Sequence, residues 1–523
     1  MASEKEPEAP VRAGLVLTTL ILSALVCNLN LGVANIALPD IGKAFDASQS
    51  ALNIVALGCT LGLAMSVLYF GAIGDRHGRK LMLMIGLILT VLVSFLSAFS
   101  TSIDMLIFAR IFTGLAAGMA YPTTLALITA LWGPGKKRVG AIALWSGVSA
   151  GGAVLGPVIA GFLLQAFWWG SVFLIAVPPA IAAGILVVIL VPAHRNESTG
   201  SVDHLGGVLS VIMIATLVLG ISTLPAPNKL PLALALLAGT LITGTLFVWR
   251  QKRAPSPLFD LKIGARRLFW VPAVGGMIVF GSLMGSMFIG QQFLQNVLGY
   301  DTVTAGLAIV PAAVGMIGVA PASARLLTRR GSRFTMLLGY VFVFASFITM
   351  FAWGLASSYF LVGLAYLLVG VGAGFALTPA SRSLTSSVPV LRVGMASGTT
   401  DLQRDLGGSI MQAIFGSLLA AGFAASFANQ IAASGDSADV SASVTAALQA
   451  SYASATQVAT QYPAYSTQII EAAKTSFLEG ANLAYVAGAV VIALGAVLVA
   501  WRLPGKEREQ NLLDSYAAED AAA

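Results

Sequence analysis

Four charged side chains stand where an apolar chain should carry none. Asp401, Arg404 and Asp405 fall inside the apolar run 395-422, and Arg110 falls inside the run 104-131. Of all the Asp and Glu residues, only Asp401 and Asp405 lie clearly inside such a run, whereas Asp104 and Glu479 sit near run ends. A charge held in hydrocarbon is costly unless it faces a partner or a watery cavity, so function is the default reading. Asp401 and Asp405 are four residues apart and share a helix face, with Arg404 three residues from Asp401. One carboxylate can pair with Arg404 and stay ionised. The other, out of water and beside a like charge, is the kind of group that binds and releases a proton. At 1.5 Å per residue, Asp405 stands ~15 Å inside its run, near mid-membrane. The competing reading is an ion pair that only docks this helix to its neighbours. For Arg110, about six residues from Asp104, the competing reading is a side chain that reaches outward to the surface.

The elements that must hold these groups are set by composition. The chain has 523 residues, 57% hydrophobic and only 10% charged, with a mean hydropathy of +0.87. Soluble domains carry roughly a quarter charged residues, so this is a membrane protein. Apolar runs of spanning length occur at 13-36, 51-74, 81-100, 104-131, 140-164, 170-193, 206-224 and 231-249. Six more follow at 268-291, 303-324, 335-354, 358-380, 395-422 and 481-501, fourteen in all. With the N-terminus inside, twenty-four lysines and arginines fall on the cytoplasmic side, and only Lys43, Lys229 and Lys474 fall outside. That asymmetry supports both the count and the orientation, with both termini cytoplasmic. The net charge of +7 is therefore topological and does not mark a nucleic-acid surface. The start is too acidic for a signal peptide, and the first run is too long, so it reads as an uncleaved span. Cys27 and Cys59 lie in apolar runs and build neither a disulfide framework nor a metal site.

The runs divide as six, two and six. A cytoplasmic tail (1-12) precedes a first bundle (13-193). A linker with two extra spans (194-267) leads to a second bundle (268-502), and a charged, alanine-rich tail (503-523) reads as mobile. Each half has a basic loop after its second span, Gly71 to Lys80 in the first and Arg325 to Arg333 in the second. Such internal repetition is how many secondary transporters are built, with the site between halves. The Ala-, Ser- and Thr-rich stretch 426-478 falls outside, as an ordered hairpin or a loop.

The stretch Gly71-Ala-Ile-Gly-Asp75-Arg76-His-Gly78-Arg79-Lys80 resembles the loop motif of the major facilitator superfamily at every fixed position. The similarity is closest to that superfamily's fourteen-span drug:proton antiporters. It implies an all-α polytopic fold of two six-helix bundles with two inserted central helices. It also implies a gate at Gly71, Asp75, Arg76, Gly78, Arg79 and Lys80. There Asp75 and Arg79 would lock the halves together, with Asp75 accepting from a helix N-terminus across the gap. Arg110-Ile-Phe-Thr113-Gly114 is similar to the motif that ties an arginine to proton transfer, although the family usually has Gln where Thr113 stands. Gly152-Ala-Val-Leu-Gly156-Pro157-Val-Ile-Ala160-Gly161 resembles the antiporter motif, with Ala160 for one glycine, and implies export by exchange. Weaker echoes run through Asn35 to Pro39, Phe173 to Pro178, Asp203 to Gly206 and Phe293 to Tyr300.

One departure bears on the energy source. The family usually places an Asp where this chain has Asn30, which cannot titrate, and usually has neutral residues at 401 and 405. The coupling proton is therefore assigned to Asp405, supported by Asp401, Arg404 and Arg110. Substrate would be bound by Asn28, Asn30, Tyr69, Tyr121 and Trp145, opposite Met284, Met287, Phe288 and Gln292; Met and aromatic side chains suit varied apolar ligands. The expected activity is proton-driven export of lipophilic drugs through the plasma membrane of a bacterium, by alternating access and by a monomer. No cofactor, metal, ATP or nucleic acid is expected. The alternative is export or facilitated passage of one endogenous metabolite, antibiotic or lipid with little proton coupling. No nucleophile elbow, metal cluster or phosphate loop speaks for an enzyme.

Overall fold

The structure is a computed structural model, and it describes residues 10, 12-132, 141, 144-145, 156-192, 202-224, 229-388, 393-433 and 441-522. The described regular structure is helical throughout. The first half contains α1 (Ala13–Phe45), α2 (Gln49–His77), α3 (Arg79–Ala98), α4 (Ile103–Leu131), α5 (Gly156–Ala166) and α6 (Val177–Leu190). A 3-10 turn, Trp169–Ala176, leads into α6, so the stretch Phe173 to Pro178 straddles a change of helix type. The inserted pair is α7 (His204–Thr223) and α8 (Leu230–Arg253). The second half holds α9 (Leu261–Gly264), α10 (Arg267–Gln292), α11 (Thr302–Leu307), α12 (Val310–Phe351), α13 (Tyr359–Ser386), α14 (Val393–Ala433), α15 (Ala442–Ala450), α16 (Tyr452–Gln461), α17 (Ser466–Arg502) and α18 (Lys506–Ala522).

Among the described residues twelve helices are long and apolar enough to cross a membrane. The expected run 303-324 covers α11 and the first part of α12, and 335-354 falls on the rest of α12, which is interrupted at Gly331 with a non-helical φ of 83°. The run 140-164 is described in part, as α5. Hydroxyl and carboxylate caps start several helices: Ser48 accepts from Ala51 N, Ser102 from Met105 N, and Asp301 from Val303 N and Thr304 N.

Several boundaries move outward from the apolar runs, because a helix continues wherever its backbone bonds are satisfied, not only where its side chains are apolar. α1 passes through Pro39 to Phe45, so Asn35 to Pro39 is inside the helix rather than after it. α17 begins at Ser466, which puts Glu479 well within a helix. The stretch 426-478 is ordered helix where described, with α15 and α16 forming a hairpin between α14 and α17. The ten-residue loop is mostly helix too: α2 runs to His77, α3 starts at Arg79, and Gly78 alone, at φ 112°, makes the turn. The tail is not loose. It forms α18, whose Leu512, Leu513 and Tyr516 pack against the main core.

Helix contacts position the interior. α2 and α4 pack closely because Gly114 presents no side chain; a Cβ there would meet the Cys59 carbonyl oxygen at 2.1 Å. α14 lies against α2 of the other half and against α7.

Candidate functional site

Arg110 does not reach outward. It is fully buried, donating from Nη2 to the Asn30 carbonyl oxygen at 3.0 Å and from Nε to the Val55 carbonyl oxygen at 3.4 Å. Its guanidinium lies 5.3 Å from the centre of the Phe173 ring, and its Nη1 has no hydrogen-bond partner. Three helices of the first half are thus tied to one cation through main-chain oxygens, which any residue type supplies. Asn30 contributes its carbonyl there, while its amide donates to Val26 O within α1.

Across the interior, α14 carries Asp401, Asp405, Gly408 and Gln412 at helical spacing on one face. Asp401 and Asp405 are buried, and Asp405 Oδ2 and Arg404 Nε have no hydrogen-bond partner. The expected ion pair does not form: among the described residues no salt bridge joins Arg404 to either carboxylate. Arg404 is itself half-buried. Cys59 on α2 is within electrostatic range of both Arg110 and Asp405, and Tyr121 on α4 is within range of Asp401, Arg404 and Asp405. The titratable stripe of one half therefore faces the arginine-bearing helices of the other.

Residues not singled out from the sequence complete this interface. Thr60 on α2 donates to Gln412 Oε1 at 3.2 Å, leaving Gln412 Nε2 without a partner. Asn53, also unpartnered, fits against Gly416, while Gln403 packs on Gly276 of α10 within the second half. A signal was present: each is a lone amide or hydroxyl in an apolar run, and Gln412 lies seven residues from Asp405 on the same face.

The proposed substrate residues separate into groups. Tyr121 and Trp145 have tilted rings 5.3 Å apart, Trp145 donates to Thr124 Oγ1 at 2.9 Å, and Asn28 Nδ2 donates to Ala24 O at 3.0 Å. Met284 faces Gly408 of the polar stripe, and Met287 and Phe288 lie in the core. Tyr69 goes elsewhere: its hydroxyl meets His204 Nδ1 at 3.0 Å, and its ring lies over Gly207, so it docks the inserted α7. Gln292 accepts from Gln49 Nε2 at 3.0 Å and belongs to a seal between the halves.

That seal lies at the end opposite the Gly78 turn. Gln295 donates to Ile36 O, Thr302 to Gly161 O and Ser451 to Ala47 O, all between the halves. Gly161 allows the approach, since a Cβ there would lie 2.5 Å from Thr302 O; Gly156 instead lets α5 pack on α1 within the first half, where a Cβ would lie 2.5 Å from Leu29 O. Pro157 O borders Gly306, while Gly152 lies outside the described residues. At the other end Arg79 Nη1 donates to Ala126 O and Lys80 Nζ to Val188 O, both within the first half. Arg76 is exposed, Gly71 has open space beside it, and the Asp75 side chain lies outside the described residues.

A model of the Major Facilitator Superfamily matches residues 20–412. The chain belongs to this superfamily. It is 31% identical over 407 residues to the multidrug efflux pump LfrA of Mycolicibacterium smegmatis, covering 78% of this chain and 81% of that protein. It is 30% identical over 421 residues to the methyl viologen resistance protein SmvA of Salmonella typhimurium, covering 77% and 82%. Among solved structures, a bacterial homologue of the human lysosomal transporter Spinster, inward-facing and occupied, superposes with a TM-score of 0.61 at 17% identity, covering 95% of this chain and 98% of that one. The likeness to Spinster concerns fold alone. The superfamily consists of transporters, and this member is a multi-pass membrane protein.

Proposed function

We propose that this protein exports lipophilic drugs from the cytoplasm in exchange for protons, by alternating access between its two halves. The observation that carries the reading is the buried pair Asp401 and Asp405 on α14, with half-buried Arg404 beside them, set opposite α2 and α4 with buried Arg110. A carboxyl group in such a place changes its affinity for protons when the cavity around it changes face, which is what coupling requires. Asp405 carries the proton. Asp401 adds a like charge, and Arg404 and Arg110 hold positive charge nearby. Tyr121, Trp145, Asn28 and Met284 would meet the cargo, and their aromatic, thioether and amide side chains suit varied apolar ligands with one polar end. Tyr69 and Gln292 act as packing and sealing residues. The printed activities of LfrA and SmvA, multidrug efflux and methyl viologen resistance, support drugs as the cargo class.

The topology that fits this reading has fourteen spans, with α12 counted as two across Gly331 and α5 as part of a full span. Both termini lie on the cytoplasmic side of a bacterial inner membrane, the seal is at the outer end, and the unit is a monomer driven by the proton gradient. Proton release on adding methyl viologen or ethidium to solubilised protein tests it. Wild type should release protons and Asp405→Asn should not; equal release from both would refute the assignment.

A further inference from the structure

The two halves differ at their equivalent turns. Between α2 and α3 the chain reads Asp75-Arg76-His77-Gly78-Arg79-Lys80, with Gly78 at φ 112°. Midway along α12 it reads Thr328-Arg329-Arg330-Gly331-Ser332-Arg333, with Gly331 at φ 83°. The glycines match in position and in backbone conformation, but the acid is replaced by Thr328. Four arginines and no carboxylate lie between 325 and 333. The helix that restarts at Ser332 thus lacks both a neighbouring anion and a cap of its own.

A carboxylate reaches that point from α18. Glu509 accepts from Ser332 N at 3.0 Å through Oε2 and from Ser332 Oγ through Oε1, and Ser383 Oγ donates to Ser332 Oγ at 3.2 Å. Lys506 packs over Gly331, where a Cβ would lie 3.0 Å from its own. The far end of α18 is anchored as well. Asp520 binds the Arg266 guanidinium with both oxygens, Tyr516 lies 4.6 Å beneath that guanidinium, and Arg266 also donates to Ser387 O at 2.7 Å. With two bases against five acids, α18 suits this arginine-rich surface and is ill suited to an anionic lipid face.

We propose that α18 is a working part of the second half's gate, with Glu509 supplying in trans the carboxylate that the 325-333 turn lacks. Glu509 is a positioning residue: it caps the restarted helix and so holds the inner ends of the second half in the register that a rocking movement needs. This rests on the transport reading above.

The test compares Glu509→Ala, Glu509→Ala with Thr328→Asp, and the control Glu507→Ala, exposed on the same helix. Ethidium efflux from inverted vesicles is read beside the melting temperature of purified protein. Spin-label distances between His77→Cys and Arg382→Cys are measured in parallel; the buried Cys27 and Cys59 stay unlabelled. Glu509→Ala should slow efflux about tenfold, the scale of one charge-assisted hydrogen bond, and broaden the distance distribution with little change in melting. Thr328→Asp should restore both, and Glu507→Ala should leave both unchanged. The proposal is overturned if Glu509→Ala matches wild type, if efflux falls only in step with melting, or if Thr328→Asp restores nothing. Wild type without efflux would instead refute the transport reading, and the distances would still decide this one.

Discussion

Replacing Arg110 by methionine separates what the guanidinium does for packing from what it does for transport. Methionine has a similar reach and no charge, so the space between α1, α2 and α4 stays filled. The substitution removes two charge-assisted hydrogen bonds, to Asn30 O and Val55 O, each worth about 1.5–3 kcal/mol, with the 3.4 Å bond at the weaker end. It also removes the cost of holding a cation, with Nη1 unpartnered, away from water, which amounts to several kcal/mol. These contributions oppose one another and are of similar size, so the net change in stability should stay within about 2 kcal/mol of either sign. Transport has no such compensation. Losing the cation should slow proton-coupled efflux at least tenfold, the factor that about 1.4 kcal/mol of lost barrier stabilisation produces. Arg110→Lys should recover only part of the rate, because the ammonium's donors radiate from one atom and do not reproduce the separate Nε and Nη2 directions that meet Val55 O and Asn30 O. The assay pairs scanning fluorimetry of purified protein with ethidium efflux under an imposed pH gradient. Unchanged efflux from a stable Arg110→Met protein would refute the functional role. A loss of stability beyond about 4 kcal/mol would show that the side chain is chiefly structural.

Other perturbations follow from the same geometry. Gly416→Ala places a Cβ 2.1 Å from Asn53 Cγ, so the buried Asn53 side chain or the α2–α14 packing must shift; melting should fall by the equivalent of about 1–3 kcal/mol, and Asn53→Ala in the same chain should restore most of it. The Arg266 guanidinium holds the Asp520 carboxyl below the ordinary 3.8. A depressed value means that the contribution is complete above the ordinary carboxyl range and lost as pH falls through the folded value. A spin label at Glu507→Cys should therefore stay immobile down to about pH 4 and loosen below it, and Asp520→Asn should loosen it at neutral pH. Asp203 caps α7 and accepts from Arg250 Nε at 2.8 Å and Gln251 Nε2 at 3.1 Å, so Asp203→Ala removes the partner of a half-buried cation and the cap of α7; the α7–α8 pair should become sensitive to protease at its Arg250 end.

Much of this molecule was legible in its sequence because hydropathy and charge are local properties. Apolar length marks where the long helices lie, and an ion inside an apolar run must turn inward. Arg110, Asp401 and Asp405 were found on that ground, and the structure buries all three. The pairing of Arg404 with a carboxylate was a local expectation too, and it failed, because residues on one helix face share a direction without sharing a contact. Which faces meet is a property of the whole bundle. Only the tertiary structure sends Tyr69 to His204 rather than to the interior, places Gln292 in a seal with Gln49, and sets Thr60 against Gln412 some 352 residues away in the chain. The tail shows the difference most plainly. Its composition suits water, and nothing within residues 503-523 announces a partner; the complement is an arginine-rich turn and an uncapped helix start that exist only once the second half has folded.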